Sequence, residues 1–184
     1  MAVETPFCNF GWPAPGFVLP DLAGRPVRLT DIRGKKGTLV MFLCNHCPFV
    51  RAIEDRIARD AATLSGLGIG VAAICSNDAS DYPADGPSGL AEQVARAGFD
   101  FPYLIDEEQT VARAYEAACT PDFFGFDAGL GLQYRGRLDA SRATPGPADL
   151  RRELVEAMTQ VAMTGHGPEE QVASMGCSIK WKAA

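Results

Sequence analysis

The sequence predicts an α/β fold: a central mixed β-sheet flanked by helices, with an N-terminal β-hairpin extension and a C-terminal tail. Two uninterrupted apolar runs of strand length, "TLVMFL" at 38–43 and "IGVAAICS" at 69–76, have the composition of strands buried on both faces. Each leads into a segment of helical spacing, and the chain closes on a hairpin pattern and one more helix. Parallel pairs therefore come first and antiparallel ones last. A chain of 184 residues, 47% of them hydrophobic, suffices for one domain with its own core.

Each element has a local reason. Apolar and polar residues alternate over "GRPVRLTDIRGKKG" between Gly24 and Gly37, which predicts a β-hairpin after the Pro-rich residues 6–20. After strand 38–43, Val50, Ile53, Ile57, Ala61 and Leu64 recur at helical spacing, so a helix is expected from Pro48 to Gly66 or Gly68. Beyond strand 69–76 and the loop "NDASDYPADGP", "SGLAEQVARAG" reads as a helix opened by Ser88 and closed by Gly98. A short strand at 101–106, a helix over about 108–118, strands at 122–127 and 132–139, and a helix from Asp149-Leu150 complete the order. No repeat or linker divides residues 1–164. Residues 165–184 form a tail whose end, "MGCSIKWK", is apolar enough to pack on the domain or on a partner subunit.

Composition excludes several classes of function. Net charge is −6 and the 17 Lys and Arg residues form no block, which argues against a nucleic-acid partner. No window reaches the ~18 apolar residues of a membrane span, and the N-terminus has no basic start followed by an apolar run. A cytoplasmic location is therefore expected, where six cysteines do not form a disulfide framework and are free, catalytic or metal-bound.

The chemistry concentrates in "LCNHCPFV". Proline is favoured at the first position inside a helix, so Pro48 makes Cys47 the N-cap residue. A thiolate there faces unpaired backbone N–H groups and the positive end of the helix dipole, which lowers its pKa from about 8.5. Cys44, at the end of the preceding strand, is spaced so that the two sulfurs can meet across the turn, as thiol-disulfide exchange requires. His46 reads as a base or cation beside the pair, or as a solvent-facing loop residue.

The order of elements, the lead-in "APGFVLPDLAGRPVRLTDIRGKKGTLVMF", the cysteines at the strand-to-helix turn and "CTPDFFGFDAGLGLQYRGRLD" resemble the thioredoxin-like redoxins of the AhpC/TSA type, here with a "CNHCP" motif. The resemblance spans residues 12–163 and implies a thioredoxin-like fold. It implies a cis proline facing the thiols, matched by Thr120-Pro121, which would position an extended substrate. This chain departs from the pattern in two ways. The helix-capping cysteine is the second of the pair, because Val50 holds the place of the usual second cysteine; Phe42, an aromatic five residues before Cys47, supports this register. Aligned on the peroxide-reactive thiol of a peroxiredoxin, Cys47 lacks the supporting Pro and Thr, whose places are taken by Val40 and Cys44, and Thr120-Pro121 stands where the arginine would be.

The remaining cysteines and the rival readings complete the expectation. Cys119, two residues before Pro121, reads as a resolving thiol or as a small core residue, and Cys177 in the tail as a resolver docked near the site or as an incidental packing residue. Cys44, His46 and Cys47 also supply three donors for copper or zinc, with a fourth from Cys119 or Cys177. The reading adopted is a thiol-disulfide oxidoreductase with Cys47 as nucleophile and Cys44 as resolving partner. A peroxiredoxin-like peroxidase and a metal-binding redoxin are the alternatives. The partners implied are a disulfide-containing or oxidised thiol substrate and a cellular dithiol reductant, with a homodimer compatible and no cofactor or metal required.

Overall fold

The computed structural model describes residues 2–183. In chain order its elements are β1 (Ala2–Glu4), β2 (Val18–Pro20), β3 (Pro26–Arg28), α1 (Leu29–Ile32), β4 (Gly37–Phe42), α2 (Pro48–Arg51), α3 (Glu54–Gly66) and β5 (Ile69–Cys75). A 3₁₀ turn (Pro83–Asp85) follows, then α4 (Pro87–Ala97), β6 (Tyr103–Ile105), α5 (Thr110–Ala114), β7 (Cys119–Thr120), β8 (Asp122–Phe126), β9 (Leu132–Tyr134), α6 (Glu153–Thr164) and β10 (Met175–Ser178). Strands β6, β5 and β4 run parallel, and β8 and β9 extend the same sheet antiparallel in the order β6-β5-β4-β8-β9.

The continuous apolar run of β4 follows from its central position. Leu39 and Met41 face a core built with α3, α4 and α6, while Val40 and Phe42 face a second core with α5, Tyr115 and the N-terminal segment. Tyr115 is fully buried and its ring meets Phe42, Phe124, Phe126 and Trp12. With α3, α4 and α6 on one face and α5 with the N-terminal segment on the other, both sides of the strand from Leu39 to Phe42 are apolar.

Several boundaries differ from the pattern-based expectation. The N-terminal hairpin pairs Val18–Pro20, upstream of the 24–37 window, with Pro26–Arg28 inside it. Its turn is set by Asp21, whose Oδ1 accepts the N–H groups of Ala23 and Arg25, both at 2.9 Å. The stretch after Arg28 is a single helical turn, because Asp31 reaches back to the N–H of Arg28 at 2.8 Å. The helix after Pro48 is interrupted at Ile53, where φ is −130°, and restarts as α3. Helix α5 is shorter than 108–118: Glu116 turns left-handed and the Ala117 N–H closes back on the Ala112 carbonyl at 2.9 Å. Strand β9 stops at Tyr134, where the chain folds so closely over its ring that a Cβ on Gly136 would lie 2.7 Å from it. The last helix begins at Glu153, not at Asp149.

Both termini carry strands that the sequence pattern did not predict. Strand β10 lies between β1 and β7 in an antiparallel three-stranded sheet, pairing Cys177 with Thr120 on one side and with Ala2 on the other. The tail is thus a central strand, seated on the domain at the place where the sequence reading puts the thiol chemistry.

Candidate active site

The site lies at the C-terminal ends of the parallel strands β4 and β5, the end of an open α/β sheet where ligands bind. Strand β4 delivers Cys44, Pro48 opens α2 at its first position, and Cys47 is the N-cap. The Thr120-Pro121 peptide bond is cis and faces this turn. The Thr120 carbonyl lies 3.1 Å from Cys47 Sγ, and its hydroxyl lies 3.2 Å from Cys44 Sγ. Both cysteines are fully buried.

The two thiols have opposite electrostatic environments. Cys47 is lowered to about 5, first by a hydrogen bond from the Cys44 thiol, against the opposing effect of burial, and further by the Cys177 thiol and the N–H groups of Val50 and Cys177. No cap hydrogen bond of normal geometry forms, so the Val50 N–H acts on the sulfur at longer range. The Thr120 carbonyl acts the other way, since it can only accept the S–H of the protonated form. The net effect holds Cys47 well below the ordinary thiol range and favours its thiolate. Cys44 is raised by donating to Cys47, by burial and by the charge of Asp85, and it holds its proton. The Thr120 hydroxyl and the Cys44 thiol are hydrogen-bonded at 3.2 Å, and either can donate.

His46 is held beside this pair by a residue that pattern reading missed. Asp85, from the 3₁₀ turn after β5, has no side-chain exposure and both of its oxygens are used. Oδ1 accepts the N–H groups of Asn45 at 2.8 Å and His46 at 3.1 Å; Oδ2 meets His46 Nδ1 at 2.5 Å and accepts the Asn77 amide at 2.7 Å. The imidazole also stacks on Tyr82, 4.9 Å between centroids. In the sequence Asp85 is one of three acids in a polar loop, and nothing local sets it apart from Asp78 and Asp81. Arg51, one turn into the helix from Cys47, donates instead to the Asn45 carbonyl at 2.7 Å.

The metal reading changes with this geometry. The donors that converge are Cys44, His46 and Asp85, all within 4.8 Å of one another, rather than Cys44, His46 and Cys47. Asp85 already accepts from four donors of the protein. The one carboxylate of that set is therefore already saturated by hydrogen bonds, which does not fit a resident ion.

Cys119 and Cys177 part company. Cys119 is fully buried with its S–H directed at the Pro121 carbonyl at 3.6 Å, and burial together with Asp122 pushes its thiol up. Cys177 is half-buried, and burial together with the neighbouring Cys47 raises its thiol to about 11. Three thiols, Cys44, Cys47 and Cys177, thus surround the cis peptide. A cavity of about 200 Å³ opens beside Pro121, Phe49 and Phe123 under the tail residues Val172–Met175.

Residues 10–137 match the AhpC/TSA family. The chain belongs to that family. This AhpC/TSA chain is 31% identical over 124 residues to the thiol-disulfide oxidoreductase ResA of Geobacillus thermodenitrificans, a match covering 64% of this chain and 63% of that relative. Among solved structures it is similar to an uncharacterized conserved protein from Geobacillus kaustophilus, with a TM-score of 0.93 and 42% identity, covering 100% of this chain and 98% of the other. It also superposes on the thioredoxin domain of a thiol-disulfide oxidoreductase from Bacteroides vulgatus, with a TM-score of 0.59 and 16% identity, covering 74% and 91% of the two chains. At that identity the likeness concerns the fold, which is thioredoxin-like.

Proposed function

We propose that this AhpC/TSA chain is a thiol-disulfide oxidoreductase in which Cys47 is the nucleophile and Cys44 its resolving partner. The observation that carries the reading is the arrangement of the two thiols around the cis proline: Cys47 at the N-terminus of α2 with its Sγ 3.1 Å from the Thr120 carbonyl, and Cys44 Sγ 3.2 Å from the Thr120 hydroxyl. In the reductive direction Cys47 thiolate takes one sulfur of an oxidised partner, forming a mixed disulfide and releasing the other sulfur as a thiolate. Cys44, losing its proton, attacks Cys47 Sγ, closes the Cys44–Cys47 disulfide and expels as a thiolate the partner sulfur that was bound to Cys47. Two electrons leave the pair, and a dithiol of the cell returns them. No organic cofactor enters. The relative from Geobacillus thermodenitrificans, named as a thiol-disulfide oxidoreductase, supports the class.

The peroxidase alternative draws less from the geometry. Cys44 stands where a peroxidase carries a hydroxyl, and the nearby arginines are engaged elsewhere, Arg51 on Asn45 and Arg135 on Asp122 and Glu116. The test is catalysed reduction of insulin disulfides with dithiothreitol as donor. Cys47→Ser is expected to abolish the catalysed rate, and Cys44→Ser to accumulate a mixed disulfide between Cys47 and the substrate. A Cys47→Ser protein as active as the wild type would overturn the reading.

A further inference from the structure

If Cys47 and Cys44 exchange disulfides with other molecules, something must connect them to solvent, because both residues have 0% exposure. The tail occupies the way in. Strand β10 pairs along β7, setting Cys177 opposite Thr120, the residue before the cis proline. Ser174 Oγ donates to the Pro121 carbonyl at 2.8 Å, so the tail takes up backbone on both sides of the cis bond. The approach is so close that a Cβ on Gly176 would lie 2.0 Å from the Thr120 carbonyl oxygen.

This strand is fastened on both sides of Cys177. Upstream, Ser174 exchanges hydrogen bonds with Thr5, at 2.9 Å through its carbonyl and 3.0 Å through its N–H. Downstream, Ile179 is buried in the core around Tyr115, the Lys180 backbone bonds Asn77, Asp78 and Gln109, and Arg113 lies 4.4 Å over the Trp181 ring. Displacing it would expose an apolar side chain and several backbone groups at once. The tail is therefore a fixed part of the site, and Cys177, which it sets opposite Thr120, is the one residue of the three that is not fully buried.

We propose that Cys177 is a relay thiol, through which electrons pass from an external dithiol to the buried Cys44–Cys47 disulfide. The proposal rests on the reading of that pair as an exchange couple. Starting from the Cys44–Cys47 disulfide, Cys177 as thiolate attacks Cys47 Sγ. The Cys47–Cys177 bond forms, the Cys44–Cys47 bond breaks, and Cys44 leaves and takes the proton that Cys177 lost. No electron enters or leaves in this step. A thiolate of the dithiol reductant then attacks Cys177 Sγ, and Cys47 departs as the leaving thiolate. The second reductant sulfur closes that molecule's own disulfide and frees Cys177, which is reprotonated while the other proton goes to solvent. The dithiol is oxidised and the pair reduced by two electrons. Because low-pKa thiols leave fastest, attack at Cys177 expels the best leaving group in the protein.

Rapid mixing and disulfide mapping test the relay. Wild-type and Cys177→Ala proteins, with Cys177→Ser beside them as a variant that keeps the strand's shape, are oxidised with diamide, freed of reagent and mixed with dithiothreitol. Re-reduction of the Cys177 variants is expected to be slower by on the order of tenfold or more, and Cys44→Ser is expected to yield an intramolecular Cys47–Cys177 disulfide. Equal re-reduction rates, or no Cys47–Cys177 disulfide in oxidised Cys44→Ser, overturn the relay. The exchange pair is judged separately: it fails if oxidised wild-type protein contains no Cys44–Cys47 disulfide, and stands if that disulfide is present while the relay test fails.

Discussion

At the scale of the residue, the charge on Cys47 is shared out by its neighbours. Removing one of the donors to its sulfur should raise its pKa, so ultraviolet thiolate absorbance is expected to titrate near about 5 in the wild type and at a higher pH in Cys177→Ala. The same transition in both proteins would exclude Cys177 from the thiolate's shell. The sign for stability follows from linkage. The folded pKa lies below the unfolded one, so ionised Cys47 stabilises the fold above the ordinary thiol range near about 8.5, and that contribution declines below it and is lost as pH falls through about 5. Asp85 works differently, as the common acceptor for Asn45, His46 and Asn77. Asp85→Ala strands these buried donors and should lower the unfolding free energy by about 2–4 kcal/mol in denaturant titration, whereas a loss below about 0.5 kcal/mol would mean the loop re-pairs without it.

At the scale of the element, the terminal strand β10 depends on one residue without a side chain. Gly176→Ala adds a methyl group into the Thr120 carbonyl, so β10 should separate from β7. Amide hydrogen exchange over residues 172–183 is expected to speed up while β4 and β5 stay protected; unchanged exchange would show that the sheet absorbs the methyl group. This strand also marks where sequence reading stopped. The runs 38–43 and 69–76 are legible because a strand buried on both faces must be apolar throughout, and the Pro48 register is legible because proline has few places in a helix. Strands β1 and β10 span three and four residues with mixed burial, too short for alternation to register. Their pairing joins the two ends of the chain, a contact that no local pattern encodes.

At the scale of the molecule, the sheet and helix place the thiols, and the tail and the Asp85 turn complete the site. Cys44 and Cys47 could be found from spacing because they share one turn. Asp85, Thr120 and Cys177 come from segments distant in sequence and meet only through the topology β6-β5-β4-β8-β9 and the docking of β10 on β7. The family resemblance supplied Thr120-Pro121, but it offered no counterpart for the acid under His46. The account of the whole rests on a reversible two-electron couple between Cys44 and Cys47. Its most direct test is a redox titration of the protein in dithiothreitol buffers of graded poise, quenched by alkylation and read by peptide mass. The account predicts a single reversible transition in which Cys44 and Cys47 lose their alkylation together as one disulfide, absent in Cys47→Ser. Persistence of both free thiols at every poise up to full oxidation of the buffer would contradict it.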